Sequence, residues 1–295
     1  MLLIAAPTEA GTIVRVSTTL GDFSIELLDD IAPKTVANFL GYVERNAYNG
    51  NYIHRAPINF VIQTGGYRFE PFVGPIPVPA DNPVVNEFNV SNTRGTVAMA
   101  KFGGDPDSAT SEWFVSVADN SANLDNQNGG FTVFGNVLGD GMVIVDAISA
   151  LPKLTLGIRA DEAPITDSLS TSPLDFVYIN VEVTKRFSGA KHVFEDATGL
   201  MISSVNIDNE SDLVSLNFNL VPHESDIVVK VNRESVIPLL SNDVGIATYS
   251  SADQRLRIPA LEVNLGGNVS VFNNVVFRLS NEAELEFTLE SFDPQ

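Results

Sequence analysis

Alternating apolar and polar residues mark the first regular segment of the chain. Apolar side chains alternate with polar ones over residues 14–20 and again over 23–27, and Gly21-Asp22 separates the two runs. Because successive side chains of a strand point to opposite faces, this alternation gives each run one apolar face. The pattern predicts a β-hairpin with one face buried.

Two later segments have helical spacing instead. From Pro33, apolar residues recur every three or four positions as far as Val43, and Pro33 suits the first turn of a helix. Gly141 to Leu151 has a similar apolar stripe. We therefore predict two helices, each with one face packed against the remainder of the domain.

A short apolar segment between breakers carries the most informative residues. Phe60-Val61-Ile62-Gln63 ends at a polar residue and a glycine pair, which is typical of a buried strand. Phe60 and Ile62 are expected on one face of this strand, and Val61 and Gln63 on the other. Arg55 precedes Gln63 by eight positions. A neutral hydrogen-bonding side chain within an apolar strand, close to a cation, indicates a functional site and not a packed core.

The last third of the chain returns to a period of two. Residues 152–173 are loop-like, a strand is predicted over roughly 175–185, and Lys185 to Gly189 marks a domain boundary. Beyond it, alternating runs occupy residues 214–220, 261–265, 275–279 and 285–289, with Asx, Gly and Ser clusters between them. This pattern predicts a β-rich domain over 190–295, built as a small antiparallel sheet or sandwich. Its function is not assigned by any motif.

The composition excludes several classes of protein. The chain has 295 residues, of which 44% are hydrophobic, and no run approaches the roughly 20 apolar residues that a membrane helix needs. Its formal net charge of -20 disfavours nucleic-acid binding, because phosphates would be repelled. The absence of cysteine excludes disulfides and thiol catalysis. With three histidines and no cysteine, no metal site is expected.

The N-terminal residues leave two interpretations open. Met1 to Ala10 contains a short apolar stretch and small residues but no basic region before it. The segment is either the remnant of a signal peptide or an ordinary chain start.

The region around Arg55 resembles the signature of the cyclophilins, the peptidyl-prolyl cis-trans isomerases. That family's pattern is roughly F-H-R-x4-F-x-x-Q-G-G, and Arg55, Phe60 and Gln63 match it, whereas Ile53 replaces the first aromatic and Thr64 the first glycine. A second block follows in the family's order at residues 95–100, 108–114, 123–125 and 131–137. The resemblance spans roughly residues 12–186 and is to bacterial, exported-type members.

The resemblance implies a mainly β protein. Residues 12–186 are expected to form a closed antiparallel barrel capped by the two helices, followed by the second small β-rich domain. The interior of such a barrel is filled by side chains. The substrate is therefore expected to bind on the outer surface.

The reaction itself limits the chemistry that the site needs. Rotation about an Xaa-Pro bond makes and breaks no bond to nitrogen, so it requires no nucleophile, metal or cofactor. It requires a surface that favours the twisted amide. Arg55 is the expected donor to that amide because its charge is permanent and its fork is planar, with Gln63 orienting it and Phe60 beside it. The substrate-binding residues implied by the resemblance are Val61, Ala100, Lys101, Glu112, Phe114, Leu124 and Phe131.

Three further residues depart from the family pattern. Glu112 stands where these enzymes usually carry glutamine, and Trp113 where they carry phenylalanine. A carboxylate near Arg55 would either fix the guanidinium through a charge-assisted bond or compete with substrate for its donors. Asn123 occupies the position of a tryptophan that contacts cyclosporin in the human cytosolic enzyme, so weak cyclosporin binding is expected.

The expected partners are proline-containing segments of unfolded or exported proteins. A periplasmic or secreted location is predicted, and the cytoplasm stays open as an alternative. Two other functions also stay open. One is a cyclophilin-fold receptor for proline peptides with little or no catalysis. The other is an adhesive or assembly protein that acts through exposed edges of the C-terminal sheet.

Overall fold

The computed structural model describes residues 11–169, 172–208, 213–240 and 245–293. The Met1–Ala10 segment, with its two interpretations, lies outside them. The α-helices are α1 (Pro33–Glu44), α2 (Ser121–Leu124) and α3 (Gly141–Ala150), and a 3-10 turn covers Pro173–Asp175. Helices α1 and α3 confirm the two predicted helices, whereas α2 is a single turn that the apolar pattern does not reveal. Within the described ranges, no helix has both the length and the apolar character needed to span a membrane.

Strands up to residue 184 build the first part of the molecule. They are β1 (Ile13–Thr18), β2 (Gly21–Leu27), β3 (Asn51–Tyr52), β4 (Val61–Thr64), β5 (Tyr67–Glu70), β6 (Gly74–Pro77), β7 (Thr96–Met99), β8 (Trp113–Ser116), β9 (Val133–Val137), β10 (Lys153–Leu154), β11 (Ala163–Pro164) and β12 (Tyr178–Thr184). Strands β10 and β11 pair only with each other. The other ten form one antiparallel sheet in the order β4-β8-β7-β9-β2-β1-β12-β3-β5-β6. An antiparallel β-bridge between Arg55, which follows β3, and Gln63 of β4 connects the two ends of this sheet. We call the closed structure the first barrel.

The interior of the first barrel is a filled core. Val14 and Val16 of β1 are fully buried in it, and Phe39 of α1 and Ile148 of α3 pack against the same cluster. Ile62 of β4 points into this core. A separate apolar cluster lies on the outside of the barrel and includes Val61. The expectation of a filled barrel with an outer apolar surface is therefore confirmed.

The predicted orientation of Phe60 is wrong. Phe60 packs with Val61 in the outer cluster and not with Ile62 in the barrel core. The reason is local, because Asn59 has a positive φ of 55° and the Phe60 amide donates to the Pro57 carbonyl. Phe60 therefore belongs to a turn, and the alternation of the strand begins only at Val61.

The second part of the chain is also built from strands. They are β13 (Val193–Glu195), β14 (Leu200–Ile207), β15 (Leu213–Val221), β16 (Val228–Pro238), β17 (Ala247–Ser250), β18 (Arg255–Leu265), β19 (Asn268–Asn281) and β20 (Glu286–Asp293). They follow the order β13-β14-β15-β16-β20-β19-β18-β17, and parallel pairing of β14 with β17 and of β13 with β18 closes the sheet. We call this closed structure the second barrel.

Closure of the second barrel changes two expectations. The β-rich prediction is confirmed, but the open antiparallel sheet or sandwich is wrong, because the two parallel pairings turn the sheet into a barrel. Each of the described strands β13–β20 has a partner on both sides. Pairing of a partner chain with an open edge, the basis of the adhesive alternative, therefore has no support in the described residues.

Glu182 lies where the two barrels meet. Its Oε1 accepts a hydrogen bond from Asn217 Nδ2 at 2.7 Å, and nearby Asn180 donates to the carbonyl of Ser235. Burial raises the pKa of Glu182, and this outweighs the lowering by hydrogen bonds from Asn217 and Asn49. The folded protein therefore holds the Glu182 proton more tightly than the unfolded chain does. This group's contribution to stability falls as pH rises from the ordinary glutamate pKa through the raised one.

Replacement of Glu182 by glutamine is expected to raise the Tm at pH 7. The amide keeps an acceptor for Asn217 but carries no charge that must be desolvated. The gain should shrink toward about pH 4, where Glu182 itself is protonated. Thermal unfolding across this range measures the effect, with the exposed Glu234→Gln as the control that removes the same charge. A lower Tm, or a gain that does not vary with pH, would contradict the expectation.

Candidate active site

An outer pocket lies on the surface of the first barrel, between β4, β8 and the 100–101 and 124–131 segments. Its lining residues are Arg55, Phe60, Val61, Gln63, Ala100, Lys101, Phe114, Leu124, Gln127 and Phe131. Nine of the ten residues predicted for the site are in this set. The tenth, Glu112, lies behind Gln63 and contacts it. Gln127 was not predicted, because it sits in a polar loop that has no apolar pattern.

Arg55 is positioned by the closure of the barrel. Its carbonyl accepts a hydrogen bond from the Gln63 amide at 2.8 Å, which fixes the backbone beside β4. Its Nη1 lies 3.4 Å from Gln63 Oε1, and its guanidinium carbon lies 5.5 Å from the centre of the Phe60 ring. Among the ion pairs of the described residues, none involves Arg55. Its remaining donors can therefore serve a ligand in the pocket.

The floor of the outer pocket is apolar. Val61, Phe114 and Leu124 are buried there, and the Phe131 ring stands edge-on to Phe114 with the centroids 5.9 Å apart. Phe114 lies opposite Gln63 in the β4–β8 register. The polar group and the apolar floor are therefore brought together by strand pairing and not by sequence proximity.

Lys101 supports the wall of the pocket. Its Nζ donates to the carbonyls of Gly130 at 2.6 Å and Asn128 at 2.8 Å, and it lies 5.0 Å from the centre of the Phe131 ring. Burial lowers the pKa of Lys101, and this outweighs the opposite effect of the nearby aspartates. The Ala100 amide donates to the Glu112 carbonyl at 2.9 Å. A peptide chain that pairs here would therefore use other backbone groups.

Glu112 is held by His54 and Gln63. Its Oε2 accepts a hydrogen bond from Gln63 Nε2 at 2.7 Å and lies 3.3 Å from His54 Nε2. A direct bond from Glu112 to Arg55, one of the two alternatives for this carboxylate, is not found among the described ion pairs. Gln63 lies between the two groups and contacts both. Because the Gln63 amide nitrogen faces Glu112, its oxygen faces Arg55. His54 therefore forms the far end of this chain of contacts.

The pKa of Glu112 results from two opposing effects. Burial on its own raises the pKa of Glu112. The hydrogen bond and charge of His54, together with the hydrogen bond from Gln63, lower the pKa by more, so it lies below its ordinary value. Burial and the nearby Glu112 charge both raise the pKa of Tyr67, whose ring stands edge-on to His54 at 5.2 Å. Glu112 is therefore ionised at neutral pH.

The glycine pair after β4 makes room for this arrangement. Gly65 has a φ of +82°, and a Cβ there would lie 2.4 Å from the Ser111 carbonyl oxygen. A Cβ on Gly66 would lie 2.7 Å from Glu112 Oε1. The pair does more than end the strand, because a side chain at Gly65 would displace the Ser111 backbone and one at Gly66 would displace the Glu112 side chain.

Comparison with known families agrees with this geometry. The family model described as "Cyclophilin type peptidyl-prolyl cis-trans isomerase/CLD" matches residues 13–168, which is more than half of the chain. The chain belongs to the cyclophilin-type peptidyl-prolyl cis-trans isomerase family. The matched region contains all ten residues that line the outer pocket.

Bacterial peptidyl-prolyl cis-trans isomerases are among its relatives. The chain is 42% identical over 159 residues to a peptidyl-prolyl cis-trans isomerase of Acinetobacter baylyi, covering 54% of this chain and 82% of the relative. It is 39% identical over 168 residues to peptidyl-prolyl cis-trans isomerase B of Escherichia coli, covering 54% and 99%. A solved cyclophilin-type isomerase of Cryptosporidium parvum aligns with a TM-score of 0.45 and 20% identity, covering 60% of this chain and 99% of that one.

Proposed function

We propose that this cyclophilin accelerates rotation about Xaa-Pro bonds by donating hydrogen bonds from Arg55 to the twisted amide, while the outer pocket holds the proline ring. The observation that carries this proposal is the placement of the Arg55 guanidinium, which has no ion pair with a described residue, beside a floor of buried apolar side chains. Its substrates would be proline-containing segments of unfolded or exported proteins, whose folding it would assist.

The mechanism follows from the electronic structure of the amide. Rotation breaks the resonance of the peptide bond over a barrier of about 18–20 kcal/mol, and unaided isomerisation takes tens to hundreds of seconds. In the twisted state the prolyl nitrogen regains a lone pair that can accept a hydrogen bond. Arg55 would donate that bond or hold the neighbouring carbonyl. An apolar floor strengthens the electrostatic effect of the guanidinium because it excludes water.

Gln63, Glu112 and His54 would act as positioning residues for Arg55. Gln63 Oε1 gives the guanidinium a fixed acceptor, and the Glu112 carboxylate prevents the Gln63 amide from turning round. His54 holds the same carboxylate oxygen from the other side. A donor held in one orientation loses less freedom in the transition state, which favours catalysis.

We also propose a division of the chain into an isomerase domain over residues 12–186 and an accessory domain over 190–295. Strand β12 pairs with β1 along its length, which supports an end to the first domain only after residue 184. A periplasmic or secreted location is part of this proposal. The net charge of -20 supports the absence of nucleic acid among the partners.

An isomerisation assay tests the proposal directly. A proline peptide that is cleaved by a protease only in its trans form reports the cis-to-trans rate, and the chain should raise that rate in proportion to its concentration. The second candidate, a proline-peptide receptor, is favoured by the Glu112 carboxylate beside the site. It predicts saturable binding of the same peptide without acceleration.

Replacement of Glu112 by glutamine is expected to remove a pH response. The lowered pKa of Glu112 keeps the wild-type carboxylate ionised above its ordinary value of about 4.5, so turnover should fall only as pH drops below that value. Protonation removes the charge of the carboxylate and so weakens the hydrogen bond that holds Gln63, whereas the amide of the variant does not titrate. NMR exchange between the cis and trans forms of an Xaa-Pro peptide measures both profiles without a protease. Superimposable profiles would end the role assigned to Glu112.

Cyclosporin is expected to bind weakly. Asn123 is exposed, and its Oδ1 accepts a hydrogen bond from Gln127 at 2.6 Å at the rim of the outer pocket. It offers neither the indole donor nor the stacking area of a tryptophan. Calorimetric titration checks this, with Asn123→Trp as the variant expected to bind more tightly. Nanomolar binding by the wild type would contradict the prediction.

A further inference from the structure

One end of the second barrel is not filled by its own side chains. A cavity of about 160 Å³ opens there between residues of six strands, and Met201, Val263 and Val275 lie at its buried end. Protein interiors are close-packed, with few voids larger than a water molecule. A gap of this size is therefore a local feature of the barrel and not ordinary packing.

The opposite end of the same lumen is filled. There the Phe287 ring meets Phe218 at 6.2 Å and Tyr249 at 5.7 Å, both edge-on. Val205 is buried in the same core and does not line the cavity. The contrast shows that loose packing is confined to one end.

None of the described residues that line the cavity has a polar side chain. The lining side chains are all aliphatic, aromatic or methionine, with Phe194, Leu261 and Phe277 among them. Water in such a space would find no hydrogen-bonding partners. An engineered cavity of about 150 Å³ with a similar lining stays dry and binds benzene. The cavity of the second barrel has the size and chemistry for the same kind of guest.

The mouth of the cavity exposes apolar side chains to solvent. Ile227, Leu265 and Phe292 are 51%, 50% and 43% exposed, and all three reach the cavity. The Phe292 ring stands edge-on to Phe272 at 5.1 Å, so two aromatic rings frame the opening. Clustered apolar residues at a surface mark a place of contact.

The first barrel does not account for this contact. Among the described residues, hydrogen bonds from the first domain end on Asn217, Ser235, Leu240 and Glu262 of the second barrel, and none of these four residues lines the cavity. The mouth residues take no part in them, and the opening is therefore available to a ligand.

We propose that the second barrel binds an apolar group of about the size of benzene in the open end of its lumen. Closed barrels of about eight strands have interiors that either fill with side chains or hold one small ligand. Because the lining contains no donor, acceptor or charge, recognition rests on shape and apolar surface alone. The group is either a free aromatic or short alkyl molecule or an aromatic side chain of a polypeptide. This proposal is independent of the isomerase site.

Methyl NMR of the full chain tests the proposal with two probes. Toluene represents the free molecule, and N-acetyl-phenylalanine amide represents a polypeptide side chain without proline. Saturable shifts are expected for the methyl groups of Met201, Leu261 and Val263, which line the cavity and not the outer pocket. Saturation by toluene alone assigns a free ligand, and saturation by both probes assigns a polypeptide side chain. Saturation by neither overturns the proposal.

A pair of matched variants separates the cavity from general flexibility. Val263→Phe places a ring in the cavity, so it should preserve or raise the Tm and abolish the toluene shifts. Val205→Phe adds the same ring at the filled end and should lower the Tm, because overpacking strains a core. A fall in Tm for Val263→Phe equal to that for Val205→Phe, or toluene shifts that persist in Val263→Phe, would overturn the proposal. So would a dimer that buries the mouth and excludes toluene.

Discussion

Replacement of Arg55 by alanine is expected to lower kcat/KM for an Xaa-Pro peptide by about 10²–10³, the scale for losing one transition-state donor. The guanidinium lies beside Phe60 at the edge of the outer pocket and has no ion pair with a described residue. Its removal therefore leaves no uncompensated charge, and the fold should persist with a Tm close to that of the wild type. The protease-coupled assay measures the loss, and thermal unfolding checks the fold.

Two variants make the Arg55 result specific. Arg55→Lys keeps a positive charge but loses the planar fork that can contact both nitrogen and carbonyl, so its activity should lie between those of the wild type and Arg55→Ala. Arg68→Ala removes an exposed arginine of β5 whose guanidinium lies 2.7 Å from the Glu70 carboxylate. Arg68 does not line the outer pocket, so this variant should leave kcat/KM unchanged. Activity of Arg55→Ala within a few-fold of the wild type would eliminate the donor mechanism.

The strands and helices of the first barrel were predictable because their apolar patterns are regular. The hairpin of β1 and β2 and the helices α1 and α3 each bury one face against a single core, which period-two and helical spacing reveal. The assembly of the outer pocket was not predictable from periodicity. Phe114 meets Gln63 only through the β4–β8 register, and the ordered family motifs supplied that long-range information.

The errors have physical causes that local patterns do not contain. Phe60 faces outward because Asn59 adopts a left-handed conformation, so the alternation of the strand begins only at Val61. For Glu112, two alternatives stayed open, and the carboxylate contacts His54 and Gln63. Local patterns do not reveal which of several nearby partners a side chain contacts in the folded protein. The second barrel closed through parallel pairing of β14 with β17, and period-two spacing does not distinguish an open sheet from a closed one.

Substitutions at the neighbouring residues Trp113 and Phe114 of β8 are expected to have large but different effects, because the two side chains face opposite sides of the first barrel. Phe114 forms the floor of the outer pocket, whereas Trp113 packs edge-on against Phe39 at 5.8 Å and Tyr48 at 6.2 Å in the core. Phe114→Ala should lower kcat/KM by roughly 10–100-fold, because burial of a phenylalanine-sized surface is worth about 1.5–3 kcal/mol and about 1.4 kcal/mol is tenfold in rate. Trp113→Ala should instead lower the free energy of unfolding by about 3–5 kcal/mol.

The two variants are compared by denaturant unfolding and by the isomerase assay at a temperature where both are folded. The folded fraction of Trp113→Ala should keep the wild-type kcat/KM, since its side chain does not reach the outer pocket. If that variant does not fold, Trp113→Phe gives the same comparison with a smaller cavity in the core. Equal losses of kcat/KM for Trp113 and Phe114 substitutions would mean that the proline ring is not held on the Phe114 side of β8. The guanidinium of Arg55 would then face a surface without a role in catalysis.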